Sequence, residues 1–407
     1  MTGSPIVNGD PVDGDPVGRD SAVDLLQGLV SIRSLSGEES EASHWLVDRL
    51  ETLDLQRCRV DEAGNAVGEL GAVDASRTVV LLGHIDTVPG EIPVRVERSA
   101  EGQRLYGRGA VDAKGALATF AIAAARLGSA WAREHDLRLI VVGAVEEESA
   151  TSRGARHIRD LFGPGSEPAA CVIGEPSGWQ RVTLGYKGRV LIDLEAQRPL
   201  SHTAGPDPGV STAAVDVWNT LRDYCDSFNQ GRSKAFDQLL PSLRSIVSSN
   251  DGLTESVEAS YGVRLPIDFD ATGMLRALEE RAAARVGASW ESPTDETEVR
   301  FRGDAGRVVL RYRGMEPAWR SDTRSSLVTC FRAAIRTVGG AETRPGIVVK
   351  TGTSDMNVVA PAWRCPILAY GPGDSALDHT PGENVLLEDY WKAVQVLEQA
   401  LRTWAQV

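Results

Sequence analysis

Three short, uninterrupted apolar runs constrain this chain more than any other feature: TVVLLG at 78–83, LRLIVVGAV at 137–145 and AACVIG at 169–174. A strand of that length without polar alternation is buried on both faces. Around the runs stand segments with apolar residues at helical spacing. Leu25, Leu26 and Leu29 mark 22–32, Leu46, Leu50 and Leu53 mark 38–53, and 115–130 is rich in alanine. Helices alternating with such strands imply an α/β unit, a mostly parallel sheet with helices on both faces.

Near Gly185 the pattern changes. Residues 190–196 alternate apolar and polar, a helical segment follows at 211–228, and alternation returns at 259–265. A helix at 271–285 and a further alternating stretch at 298–312 complete the series. This predicts an α+β domain with one solvated sheet face and room for one more edge strand. The helix 325–337, the strands 347–350 and 366–370 and the helix 387–404 return to the first style. A chain of 407 residues exceeds what one core usually holds. The expected organisation is a catalytic domain of 20–184 and 317–407, split by an inserted domain of 185–316. Residues 1–19, rich in Gly, Pro and Asp, read as a disordered tail.

The chemistry sits where predicted strands end. His84 and Asp86 follow the first run, Glu146, Glu147 and Glu148 the second, and Glu175 the third. Asp112 precedes the alanine-rich helix and His379 stands late, in LDHTPGE. In open parallel sheets the crevice beyond the carboxyl ends of the strands is where ligands bind. Taken singly these residues say little: Asp112 reads as a helix N-cap and three glutamates as a solvated loop. Together, two imidazoles and several carboxylates at one sheet edge are what a pair of divalent, zinc-like ions requires.

The motifs GHIDTVPG, GRGAVDAKG, the acidic run, GEP and DHTPGE resemble those of the co-catalytic di-zinc amidohydrolases and peptidases related to carboxypeptidase G, acetylornithine deacetylase and succinyl-diaminopimelate desuccinylase. The resemblance runs from about Leu25 to the C-terminus. It implies that Asp112 bridges two ions, Zn2+ or Co2+, one also held by His84 and Glu175, the other by Glu148 and His379. It makes Asp86 the residue that orients His84 and Glu147 the general base. A shift of these roles by one position within Glu146–Glu148 stays open, because the chain has EEE where many relatives have Asp-Glu-Glu. His202, in PLSHTAGPDPG, resembles the histidine that reaches the partner's oxyanion in a homodimer formed through the inserted domain.

LGYKGRV, GMEPAWRSDTRSS and VVKTGTSDMNVVAP resemble one branch, the hydrolases that release lysine or ornithine from a small acidic amino-group carrier protein. These cleave the amide to the γ-carboxyl of the carrier's C-terminal glutamate. Lys187, Lys350, Thr353, Ser354 and Asp355 are the candidates for gripping the amino-acid end. Seven arginines within 300–324 are the candidate docking stretch for an acidic partner. Rival readings within the family are deacylation of a small N-acyl amino acid (N-acetylornithine, N-acetyllysine or N-succinyl-diaminopimelate) and hydrolysis of short peptides. An oxidoreductase reading of Gly107-x-Gly109 fails for want of a third glycine and a buried strand before it.

Composition excludes other classes. A formal charge of −14 disfavours nucleic acid and anionic membrane as partners. No apolar run approaches the ~20 residues that span a bilayer, and the N-terminus lacks a signal-peptide pattern. Five scattered cysteines without a CxxC pair argue against a disulfide framework or a thiolate zinc site, and fit the cytoplasm.

Overall fold

The structure, a computed structural model, describes residues 17–202, 204–205, 209–290 and 297–407. The expected tail lies outside the described residues up to position 16, while Val17 is buried and a helix begins at Arg19. Contacts divide the chain into two compact units. The first holds the described residues up to Leu184 together with Ser321–Val348 and Val358–Val407; the second holds Gly185–Arg320 and Val349–Asn357.

The first unit is built on four parallel strands in the order Leu137–Ala144, Arg77–His84, Ala170–Gly174 and Ile367–Tyr370. Its margins are antiparallel. Gln56–Val60 and Ala66–Leu70 form a hairpin beside Leu137–Ala144, and Arg181–Tyr186 joins Ile367–Tyr370 on the other side. A tight turn closed by Asp61 N–H to Asn65 C=O (3.0 Å) leaves no room for a crossover, so that pair runs antiparallel. The sheet is therefore mixed, and its parallel centre carries the chemistry.

Helix Lys114–Glu134 packs on this centre and against helices Arg19–Ser31 and Leu387–Trp404. By length and composition it is apolar enough to cross a bilayer, which the run-by-run reading of the sequence missed. Most of its apolar window (78%) is buried within the fold, so it serves as a core helix. Its close approach rests on glycine. Gly83 stands in register with both Gly143 and Gly174, and a Cβ on Gly174 would come within 2.8 Å of the Gly83 Cα and 3.0 Å of Phe120. Each of these glycines lies just before a strand end that leads into the acidic and imidazole residues. Helix and site are thus drawn to the same edge.

The second unit is a five-stranded antiparallel sheet in the order Leu240–Asn250, Thr254–Leu265, Gly188–Pro199, Gly306–Glu316, Glu298–Gly303. Helices Ser211–Asn229 and Thr272–Arg285 cover one face. The stretch 298–312 is a hairpin rather than one strand: alternation continues through its two-residue turn, Asp304-Ala305, so periodicity alone does not show the break.

Candidate metal centre

Every predicted ligand of the first unit arrives at the parallel sheet's carboxyl edge. His84 closes strand Arg77–His84 and is buried. Its Nδ1 faces the Asp86 backbone carbonyl at 3.0 Å and the Asp86 carboxylate at 3.5 Å, which aims Nε2 at Asp112 Oδ1, 3.1 Å away. Asp112 Oδ2 lies 3.1 Å from His379 Nε2, and that nitrogen is 3.0 Å from Glu148 Oε1. Candidate ligand atoms of His84, Glu147 and Glu175 lie within 4.8 Å of one another, as do those of His84, Asp112 and Glu148. One carboxylate thus spans two imidazoles, with further carboxylates on each side.

The acidic run resolves into three different residues. Glu146, at φ +60°, turns its carboxylate to Arg153 (2.9 Å) and Thr151 (2.5 Å), away from the cluster. Glu147 joins His84 and Glu175, and Glu148 joins His379 and Asp112. Their backbone is held by buried carboxylates: Glu146 N–H donates to Glu39 Oε1 (3.1 Å), Glu147 N–H to Asp86 Oδ1 (3.1 Å) and Glu148 N–H to Asp86 Oδ2 (3.0 Å). Ser36 Oγ also donates to Asp86 (2.7 Å). Asp86 therefore orients His84 and the acidic loop together.

The electrostatics match this crowding. Burial works against the charge of Asp112, yet hydrogen bonds from His379 and His84 hold it well below the carboxylate range. Burial and the neighbouring Asp112 charge raise Glu148. The Asp112 and Glu148 carboxylates push His379 up to about 10, a measure of the negative potential at that spot. For His84, burial opposes the imidazolium, but Asp112 and Asp86 outweigh it and raise it well above its ordinary value. Two imidazoles with four carboxylates, negative in excess, fit two divalent cations of the zinc or cobalt type. His84, Asp112 and Glu175 would hold one, and Asp112, Glu148 and His379 the other.

Two buried glutamates that hold the site's backbone were not singled out from the sequence, Glu39 and Glu383. Glu383 accepts from the N–H groups of Val111 (2.9 Å) and Asp112 (3.1 Å) and from Arg108 (2.8 Å). It was visible only as the last letter of DHTPGE. The remaining histidines of the first unit make local contacts: His44 to Ser40 C=O, His135 to Trp131 C=O, and His157 near Asp61 and Glu62.

In the second unit His202 is exposed and accepts from Ala204 N–H through Nδ1 (3.1 Å). Lys187 does not stand ready for a ligand. Its buried ammonium donates to the carbonyls of Ala235 (3.1 Å), Phe236 (2.9 Å) and Gln238, which uses the three donors of an ammonium on one loop. Burial lowers it to about 8. Thr353 donates to Lys187 C=O (2.9 Å), and Ser354 accepts from Met356 N–H (3.2 Å) at the start of helix Asp355–Trp363. Asp355 is buried there, and Lys350 ends strand Gly346–Lys350. Four of the seven arginines, Arg300, Arg307, Arg311 and Arg313, pair with Glu298, Glu195 and Asp193 of the same sheet. Those four form a charge ladder with the sheet's own carboxylates.

Comparisons with known proteins agree with this geometry. Residues 80–403 match the model of peptidase family M20/M25/M40. A LysW-lysine hydrolase of Deinococcus radiodurans is 41% identical over 384 residues, 94% of this chain and 96% of the relative. A Thermococcus kodakarensis protein, named provisionally as a LysW-lysine/LysW-ornithine hydrolase, is 34% identical over 94% of this chain and 91% of its own. Among solved structures, an M20 family metallo-carboxypeptidase of Sulfolobus solfataricus superposes with a TM-score of 0.70 at 16% identity, covering 95% of this chain and 100% of that one.

Proposed function

The chain belongs to peptidase family M20/M25/M40, and from that premise we propose that it is a di-metal hydrolase releasing lysine or ornithine from an amino-group carrier protein. It cuts the amide between the amino acid's α-amine and the γ-carboxyl of the carrier's C-terminal glutamate. The reaction class rests on Asp112, whose two oxygens each meet a different histidine at 3.1 Å. The substrate rests on the 41% identical LysW-lysine hydrolase, which matches over nearly the whole of both chains.

Two bound zinc ions, or cobalt in their place, would supply Lewis acidity, making a water acidic near neutral pH and polarising the scissile carbonyl. Asp86 holds His84 in one orientation and keeps Glu147 in place through its backbone N–H. Glu147 is the general base: it takes the attacking water's proton and passes it to the leaving α-amine. His202 of a second copy donates to the oxyanion that develops on the amide oxygen.

The homodimer this requires is supported by edge strand Leu240–Asn250, where Leu243, Ile246 and Val247 are exposed. An uncovered apolar edge is a template for pairing, and a monomer in sedimentation would remove this part of the reading. The five cysteines are free, as a reducing cytoplasm would leave them.

The decisive assay incubates purified protein with carrier-linked lysine and, separately, with N-acetyllysine. Release of lysine from the carrier is expected. Turnover of N-acetyllysine alone would replace the carrier by a small acyl donor and leave the metal chemistry intact.

A further inference from the structure

Resting on the two-ion reading above, we propose that Arg108 and Glu383 form a positioning clasp that sets the seat of the ion held by Asp112, Glu148 and His379. Glu383 is buried, with its side chain only 1% exposed, and Arg108 is 14% exposed. One oxygen of Glu383 takes the N–H groups of Val111 and Asp112, and the other takes Arg108 Nη1. The Glu383 backbone carbonyl also accepts from Gly107 N–H at 3.4 Å. Arg108 in turn donates to Thr380 C=O (3.3 Å) and, through Nε, to Gly90 C=O (3.0 Å).

Three separate loops meet on this pair: the one that leaves His84 and Asp86, the turn carrying Asp112, and the loop carrying His379. The same glutamate that grips Asp112 by its backbone lies four positions after the histidine that touches Asp112's side chain. His379 itself is about half exposed and sits at φ +59°, a conformation that non-glycine residues adopt only when their surroundings impose it. The clasp ties together the loops on which Asp112 and His379, from distant parts of the chain, meet at 3.1 Å.

The two seats are supported differently. His84 and Glu175 leave adjacent strands of the parallel centre, held by the sheet ladder. Asp112 and His379 stand on loops. Ligand distances in metal sites hold to within about 0.2 Å, and loss of an outer partner weakens metal binding by about 10- to 100-fold. Asp112 is shared by both seats, but the second also takes His379 from the clasped loops, so loosening the clasp should weaken that ion more than the one anchored by His84 and Glu175.

Zinc titration of full-length Glu383→Gln and Arg108→Lys against a competing chelator tests this, beside wild-type protein and with total metal measured at buffered free zinc. Glu383→Gln keeps an oxygen for the two N–H groups but loses the charge that faces Arg108. Arg108→Lys keeps the charge but not the fork that reaches two loops. Wild-type protein should bind two ions. Each variant should bind the second ion about 10- to 100-fold more weakly than wild type and the first with a smaller loss, with the zinc needed for half-maximal activity rising by the same factor as the second. Two unchanged affinities, or equal weakening of both ions, would overturn the clasp while leaving the hydrolase reading in place. Wild-type protein that binds no zinc would instead remove the two-ion premise. Should one variant fail to fold, the other reports the same contrast.

Discussion

Asp112 meets a different imidazole with each oxygen, and the groups around it serve to keep that carboxylate still. Its own backbone is held by Glu383, His84 by Asp86, and the acidic run by Asp86 and Glu39. His84, Asp112, Glu148, Glu175 and His379, candidates because each is a metal-type side chain at a strand end or in a distinctive motif, are brought together by the fold. Glu39 and Glu383 were not candidates. A carboxylate that accepts backbone N–H groups has the same letter as one that faces water, and only the fold shows which it is. Lys187, a candidate through the LGYKGRV motif, has its ammonium closed off by three carbonyls, which its letter does not reveal. Glu147→Gln preserves shape and the N–H contact to Asp86. It should lower kcat on the order of 10²–10⁴-fold with two metal ions still bound. An unchanged kcat in this variant would pass the base role to a neighbour.

Among the elements, the apolar strands of the parallel centre were read correctly and the more polar margins were passed over. Strands Gln56–Val60 and Ala66–Leu70 have five residues each, and the second carries Glu69, which a sequence reading takes for solvent. Glu69 is buried because Arg57, Arg59 and Arg138 surround its carboxylate at 2.8–3.0 Å. Burial alone would raise it, but the three guanidiniums bring it down to about 2 from an ordinary 4.5. Because the folded value lies below the unfolded one, this stabilisation is fully present above pH 4.5. It fades as pH falls from about 4.5 towards about 2. Glu69→Gln should therefore cost on the order of 3 kcal/mol at pH 7, by the conversion of such a shift. Its deficit against wild type in urea unfolding should shrink as the buffer is taken down to pH 3. A deficit that stays constant with pH would mean the strand is held by packing rather than by charge.

For the molecule as a whole, alternation of apolar runs and helices pointed to an α/β sheet interrupted near Gly185, and the inserted sheet was anticipated with fewer strands than it has. Helix Lys114–Glu134 shows why composition alone misleads at this scale: what would span a membrane by its letters is buried against the sheet that carries the site. Local order also hid how the arginine stretch behaves, since Glu195 and Asp193, its partners, lie on a strand more than a hundred residues earlier. On the proposed reading, hydrolysis depends on two dications held by side chains of the first unit. Metal analysis paired with activity, on protein stripped by exhaustive chelation and then titrated with zinc, tests this most directly. Activity should be absent after stripping and return in full at two equivalents per chain. Protein that stays fully active with no transition metal bound would contradict it.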